Sequence, residues 1–221
     1  MNDSIEINDI IRKFYKPVDF SGDIFYFFSS YYSKFEKLVI GVEGASGSGK
    51  TIFTTDLATS LSKNKVVVIS LDDYLIMNKE EMLLNGIETR YDWRTRDKKR
   101  FLEDIKTLRS GKNIKKPKQD FSLEAPSNEV EIIEPKPFII IEGNLNIADV
   151  CDSIIFLFAP DDVLVERRFK RDIQKSMHNN SLRENARISL GFYHSMLETY
   201  AKEADFIFDT HNNLLYKKNS V

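Results

Sequence analysis

The sequence predicts an α/β fold built on a mostly parallel sheet with helices on both faces. Short apolar runs of strand length recur along the chain, and Phe138-Ile139-Ile140-Ile141 is the most apolar of them. Between these runs lie stretches in which apolar residues recur at helical spacing. Because strands and helices alternate over about 170 residues, we expect parallel strands within a single domain.

The individual elements are predicted from local patterns. Phe53, Leu57 and Leu61 share one face of a predicted helix, and Gly111 ends another helix. The predicted strands are 37–43, 65–70, 129–133, 138–141, 153–158 and 206–208. The predicted helices begin at Thr51, span 96–109 and 161–175, and resume at Ser181 through a capping box with Glu184.

Two segments are interpreted as additions to this core. Residues 5–35 are rich in aromatic side chains and have a helical pattern. Residues 1–36 are therefore predicted to form a helical extension packed on a main domain of residues 37–221. Between residues 112 and 137, strand-like pieces separated by prolines predict a small hairpin insertion over the active face.

The composition disfavours several classes of partner. Lys and Arg total 32 against 34 Asp and Glu, so a general binder of nucleic acid or acidic membranes is not expected. The lysines at 112, 115, 116 and 118 are interpreted as a solvated loop near an anionic substrate. Cys151 is the one cysteine, and neither a signal segment nor a membrane-length apolar run is present. We expect a cytoplasmic protein without a disulfide, and the sequence leaves homo-oligomer formation open.

A glycine-rich loop lies between the first predicted strand and the first predicted helix of the main domain. Its eight residues, Gly44-Ala45-Ser46-Gly47-Ser48-Gly49-Lys50-Thr51, match the GxxxxGK[ST] pattern of the phosphate-binding P-loop. Glycines allow the backbone amides to approach phosphate oxygens, and the helix N-terminus adds positive potential there. Lys50 is predicted to bridge the β- and γ-phosphates of ATP, and the Thr51 hydroxyl to ligate Mg²⁺. The alternative is a glycine-rich turn that binds nothing.

Carboxylates follow two of the predicted strands. Asp72 and Asp73 come after strand 65–70, and Glu142 comes directly after strand 138–141. Ligands of open α/β sheets bind at this carboxyl edge. A carboxylate there can accept the proton of an attacking hydroxyl or help to hold Mg²⁺. Helix capping by the aspartates and a turn charge at Glu142 are the structural alternatives. Together with the loop, the set predicts a P-loop NTPase three-layer sandwich that transfers phosphoryl groups.

Several segments resemble the uridine kinase and phosphoribulokinase family of P-loop kinases, in the family's order, from about residue 38 to residue 209. They are Ser70-Leu71-Asp72-Asp73-Tyr74, Tyr91-Asp92-Trp93, Pro117-Lys118-Gln119-Asp120-Phe121 and Ile141-Glu142-Gly143-Asn144-Leu145. The resemblance implies that Asp72 is the catalytic base and that Glu142 belongs to the metal site with Thr51 and Asp72. It also implies that Asp92, Tyr91, Tyr74 and Phe121 contact the acceptor.

Arg167-Arg168-Phe169-Lys170-Arg171-Asp172-Ile173 resembles the family's lid helix, whose arginines grip the phosphates of ATP. The resemblance assigns Arg168 and Arg171 to that role, and guanidinium groups at this spacing share a helix face. A solvated charged face is the alternative.

The chain also departs from the family's pattern. Phe121 is followed by Ser122, Leu123 and Glu124, where uridine kinases place a base-reading histidine, and two arginines of the lid pattern are missing. We therefore predict an ATP- and Mg²⁺-dependent kinase for a small alcohol, with a nucleoside as the first candidate. The alternatives are a sugar, a sugar phosphate or a pantothenate-like acceptor, or a non-catalytic nucleotide-binding regulator.

Overall fold

The computed structural model describes residues 7–20, 22–88, 90, 92–120, 125–144, 146–174 and 182–219. The helices in these ranges are α1 (Ile7–Phe14), α2 (Ile24–Tyr32), α3 (Lys50–Ser60), α4 (Lys79–Leu84), α5 (Lys98–Arg109), α6 (Asp161–Gln174) and α7 (Leu182–Glu203). The strands are β1 (Tyr15–Val18), β2 (Leu38–Gly44), β3 (Val66–Ser70), β4 (Ile114–Asp120), β5 (Ala125–Ile133), β6 (Phe138–Gly143), β7 (Ser153–Phe158), β8 (Phe206–Asp209) and β9 (Leu214–Lys218).

The main sheet has seven strands in the order β1-β9-β8-β7-β2-β6-β3. The five strands from β8 to β3 run parallel, whereas β9 and β1 are antiparallel to their neighbours. Every residue of β2 is buried, as expected for a strand covered on both faces. The predicted mostly parallel α/β sheet is confirmed.

Side chains of alternate residues in the central strands pack into two separate hydrophobic cores, one on each face of the sheet. Val39, Ile139 and Phe156 belong to a cluster that also contains side chains of α1, α5, α6 and α7. Ile40 and Ile155 belong to a second cluster, which includes side chains of α2 and α3. The molecule is therefore a three-layer sandwich of helix, sheet and helix, as predicted.

The N-terminal segment is not helical throughout, contrary to the prediction. Residues 15–18 form β1, which pairs with β9 so that Tyr15 lies opposite Lys218. The Tyr15 hydroxyl also reaches the carbonyl oxygens of Ala201 and Ala204 at the end of α7, the latter at 2.7 Å. The prediction of a helix was wrong for residues 15–18, because this four-residue strand forms its hydrogen bonds with a partner that is distant in sequence. The division of the chain at residue 36 remains a prediction.

Two other sequence predictions concern elements near the carboxyl edge of the sheet. The hairpin insertion is confirmed, since β4 and β5 form a separate two-stranded antiparallel sheet. The helix predicted over 96–109 begins two residues later, because the Asp97 side chain accepts the Arg100 backbone N–H at 3.0 Å and caps α5. Arg96 is thereby left outside the helix.

No helix in the described ranges combines the length and apolar character of a bilayer span.

Candidate active site

The P-loop wraps tightly between β2 and α3. Gly44 has a φ of +150° and Gly47 a φ of +93°. Residues other than glycine rarely adopt these backbone angles. A Cβ atom on Gly44 would lie 2.4 Å from the Leu157 carbonyl oxygen, and one on Gly47 would lie 2.7 Å from the Leu164 carbonyl oxygen. These glycines therefore allow the loop to pack against β7 and α6.

Lys50 lies against the backbone of the same loop. Its Nζ atom donates to the carbonyl oxygens of Gly44 at 2.8 Å and of Ala45 at 2.9 Å. Burial lowers the pKa of Lys50 to about 8, although the carboxylates of Glu142 and Asp72 act in the opposite direction. The ammonium, the loop and both predicted carboxylates thus share one electrostatic environment.

Thr51 and Glu142 meet at the carboxyl edge of the sheet. Thr51 opens the first turn of α3, and its hydroxyl donates to Glu142 Oε1 at 3.4 Å. Glu142 is held there because β6 pairs with β3, which places it opposite Ser70. Burial raises the pKa of Glu142, and its buried Oε2 atom has no hydrogen-bond partner among the described residues.

The unpaired Oε2 atom of Glu142 indicates whether the site suits Mg²⁺. A buried carboxylate oxygen without a donor is costly, and a cation would satisfy it. At phosphate-binding sites of proteins, Mg²⁺ is usually held by one or two carboxylates together with the phosphates and water. In the described part of the chain no three His, Cys, Asp or Glu residues cluster as a metal site. Glu142 and Thr51 therefore fit a metal that is shared with bound phosphates.

Asp72 lies on a 3-10 turn, Leu71–Tyr74, directly after β3. Its side chain is 53% exposed, and its Oδ1 atom accepts a hydrogen bond from Arg96 Nη2 at 2.6 Å. The Arg96 side chain is only 1% exposed. Arg96 could not be identified from the sequence, because an arginine paired with a carboxylate 24 residues away leaves no local pattern.

Asp73, the next residue, has a different environment from Asp72. It is buried and forms an ion pair with Lys116 of β4, which is also buried. The interpretation of Lys116 as part of a solvated loop is therefore wrong, because Lys116 lies on a strand and its ammonium is buried in the ion pair with Asp73. Burial nevertheless raises the pKa of Asp73, with Lys116 opposing that shift. This pair connects the hairpin to the turn that carries Asp72.

The residues predicted to contact the acceptor are not equivalent. Tyr74 is 1% exposed, and its hydroxyl donates to Asp104 Oδ2 at 2.9 Å. We therefore withdraw Tyr74 from the acceptor contacts, since its ring supports the turn from the core.

Asp92 caps a short 3-10 helix and pairs with Arg94 at 2.6 Å, and the hydrogen bond from Arg94 lowers the pKa of Asp92. Tyr91 and Phe121 lie outside the described residues.

The predicted lid arginines lie on α6 beside the P-loop. Arg171 Nη1 donates to the Ser46 hydroxyl at 3.4 Å, and Arg168 lines a small pocket together with Ala45 and Ser46. Both arginines also face the buried carboxylate of Asp172, at 3.5 Å from Arg168 Nε and 2.9 Å from Arg171 Nη2. Asp172 therefore holds the two guanidinium groups next to the loop.

Glu43 is a buried carboxyl that sequence analysis missed, since it reads as part of an apolar strand. It lies on β2 just before the P-loop and is 1% exposed. Its Oε1 atom accepts the Ile147 backbone N–H at 2.9 Å. Burial raises the pKa of Glu43 to about 8, with the charge of Glu203 adding to the rise and Lys50 opposing it.

Comparisons with known proteins agree with this geometry. The sequence profile of the Phosphoribulokinase / Uridine kinase family matches residues 39–214. A uridine kinase from Halalkalibacterium halodurans is 33% identical over 144 residues, which cover 62% of this chain and 68% of the relative. A uridine kinase from Ligilactobacillus salivarius is 31% identical over 178 residues, which cover 77% of this chain and 84% of the relative.

A solved structure shares the fold at lower identity. D-glycerate 3-kinase from Cryptococcus neoformans superimposes with a TM-score of 0.63 at 16% identity, over 91% of this chain and 100% of that protein. The chain therefore belongs to the phosphoribulokinase and uridine kinase family, and it is a P-loop phosphotransferase that uses a hydroxyl group as acceptor.

Proposed function

We propose that this protein transfers the γ-phosphate of ATP to a hydroxyl of a small metabolite, with a nucleoside as the first candidate. The observation that carries the proposal is the meeting of Lys50, Thr51 and Glu142 at one edge of the sheet, with Asp72 on the adjoining turn. These four side chains supply the functions that phosphoryl transfer requires, namely an anion cradle, a metal site and a base.

The backbone of residues 44–51 provides the main binding site for the phosphates of ATP. The loop amides and the N-terminus of α3 attract the phosphates. The Lys50 ammonium exchanges its bonds to the Gly44 and Ala45 carbonyls for bonds to phosphate oxygens. Since Lys50 is half-buried and lies near Glu142 and Asp72, its charge is only partly screened by water and stabilises the negative charge of the transferring group.

Thr51 and Glu142 are the residues that would hold Mg²⁺, because the Glu142 carboxylate has a buried oxygen without a donor. Mg²⁺, when bound, neutralises charge that develops on the phosphoryl oxygens. Glu142 must be ionised for this role. The bond from the Thr51 hydroxyl and the charge of Lys50 both favour that ionised state against the effect of burial.

Asp72 acts as the general base toward the acceptor. Half of its side chain is open to solvent while one oxygen is held by Arg96, so an incoming hydroxyl can reach the carboxylate. Asp72 accepts the hydroxyl proton as the acceptor oxygen attacks the γ-phosphorus and the bond to the ADP oxygen breaks. Arg168 and Arg171 leave Asp172 to contact the phosphates from the lid side, which excludes water and favours the acceptor as nucleophile.

A nucleoside is proposed because the relatives described above are named uridine kinases. The acceptor remains a proposal, because residues 122–124, which follow Phe121, depart from the pattern of uridine kinases at the position that reads the base. A sugar, a sugar phosphate and a pantothenate-like compound are the next candidates.

The test is ADP release by the purified protein with ATP and Mg²⁺ against a panel of nucleosides, pentoses, sugar phosphates and vitamins. Release that depends on one acceptor class supports the proposal and identifies the class. ADP release without any acceptor indicates an ATPase, and ATP binding without release across the panel indicates a regulator. Asp72→Asn is expected to lower turnover by about a hundredfold with little change in ATP affinity.

A further inference from the structure

We infer that Arg96 is a positioning residue, which holds the Asp72 carboxylate in the orientation that accepts the proton of the attacking hydroxyl. The inference rests on the proposed function, because it assumes that Asp72 is the base. It adds a residue from a different chain segment, outside both the P-loop and the lid helix.

Asp72 and Arg96 differ in burial. Asp72 is 53% exposed, so packing alone leaves its side chain free to change rotamer. Arg96 is 1% exposed, so its guanidinium group is fixed by its surroundings. Among the described residues, Arg96 is the one whose side chain bonds the Asp72 carboxylate, at 2.6 Å.

The segment that contains Arg96 is attached by backbone hydrogen bonds to the turn of Asp72. Arg96 pairs with Leu75 in an isolated antiparallel bridge. The Ile76 backbone N–H donates to the Thr95 carbonyl at 3.0 Å, and the Asp97 N–H donates to the Tyr74 carbonyl at 2.9 Å. The backbone on both sides of Arg96 is therefore bonded directly to the residues that follow Asp72.

Further hydrogen bonds orient the guanidinium group of Arg96. Its Nη1 atom donates to the Thr95 hydroxyl and, at 3.4 Å, to the Arg90 carbonyl oxygen. These contacts direct Nη2 toward Asp72. A base must be held close to its productive geometry, and a displacement of about 1 Å can cost about a hundredfold in rate. Arg96 thus supplies the rigidity that the exposed Asp72 side chain lacks.

The neighbouring pair of Asp73 and Lys116 provides a matched control. It is also a buried cation bonded to a carboxylate of the same turn, but its cation does not bond Asp72. Lys116→Met and Arg96→Met remove comparable buried cations, so both are expected to lower thermal stability. Only Arg96→Met is expected to act through the base.

The experiment is a double-mutant cycle on kcat that combines Arg96→Met and Lys116→Met with Asp72→Asn. We expect R96M to lower kcat about tenfold to a hundredfold with an unchanged KM for ATP, and to have no further effect in the D72N background. We expect K116M to change kcat by the same factor in both backgrounds. Arg96→Lys, which keeps the charge, is expected to recover part of the lost rate and serves if R96M fails to fold.

The outcomes separate this inference from the proposed function. If D72N is slow and R96M keeps its full effect in that background, Arg96 acts through the fold and the inference is wrong. If R96K is no faster than R96M, or R96M has the wild-type kcat, it is also wrong. If D72N itself turns over at the wild-type rate, the base role in the proposed function fails, and the inference fails with it.

Discussion

Replacing Glu43 by glutamine is expected to remove a pH dependence of folding stability. The folded protein raises the pKa of Glu43 from 4.5 to about 8, so between these values the folded state binds more protons than the unfolded state. Stability therefore falls as pH rises through this window. For these two pKa values, linkage gives a loss of roughly 2–3 kcal/mol between pH 5 and pH 7.

Glutamine is a suitable replacement because its amide oxygen can still accept the Ile147 N–H bond while carrying no titratable proton. The measurement is the free energy of unfolding from urea titrations of the wild type and Glu43→Gln at both pH values. We expect the two proteins to differ little at the lower pH, and the variant to be more stable by roughly 2–3 kcal/mol at the higher pH. Glu36→Gln, at an exposed position, controls for the loss of a charge. Parallel pH profiles for wild type and Glu43→Gln would refute the argument.

Three further predictions follow from the site and the fold. Since burial lowers the pKa of Lys50 to about 8, kcat/KM for ATP should fall as pH rises above about 8, whereas kcat should fall only at higher pH because bound phosphates favour the ammonium. Coincident alkaline limbs in the two profiles would contradict this. Gly47→Ala should weaken ATP binding at least about tenfold by calorimetry, because its Cβ would meet the Leu164 carbonyl at 2.7 Å. Gly111→Ala is the control, with a φ of +84° in open space, and equal losses would contradict the prediction. Tyr15→Phe should lower the free energy of unfolding by about 1–3 kcal/mol with unchanged ATP affinity, because the buried carbonyl oxygens of Ala201 and Ala204 lose their donor.

The sequence allowed the central fold to be predicted because its information is local. The P-loop pattern and the apolar runs of β2, β3, β6 and β7 each lie within a few residues, so they can be identified without knowledge of their partners. In contrast, β1 and β9 contain charged residues and a proline, and their strand conformation depends on pairing across the chain. Both strands were missed for that reason.

The residues of the candidate site also divide into those that a local sequence pattern predicts and those that it does not. Lys50, Thr51, Asp72 and Glu142 could be predicted because each belongs to a motif or ends an apolar strand. Arg96 could not be predicted, since its partner is distant in sequence and its neighbours are polar. The burial of cations at 96 and 116 depends on a tertiary arrangement that no local pattern encodes.

The pairing of β1 with β9 has a consequence for the order of folding during synthesis. Residues 15–18 are synthesised long before their hydrogen-bond partners at 215–218. Contacts between such distant residues form slowly, because a large loop must close before they are gained. Until then, one edge of the sheet stays unpaired and open to association with other chains.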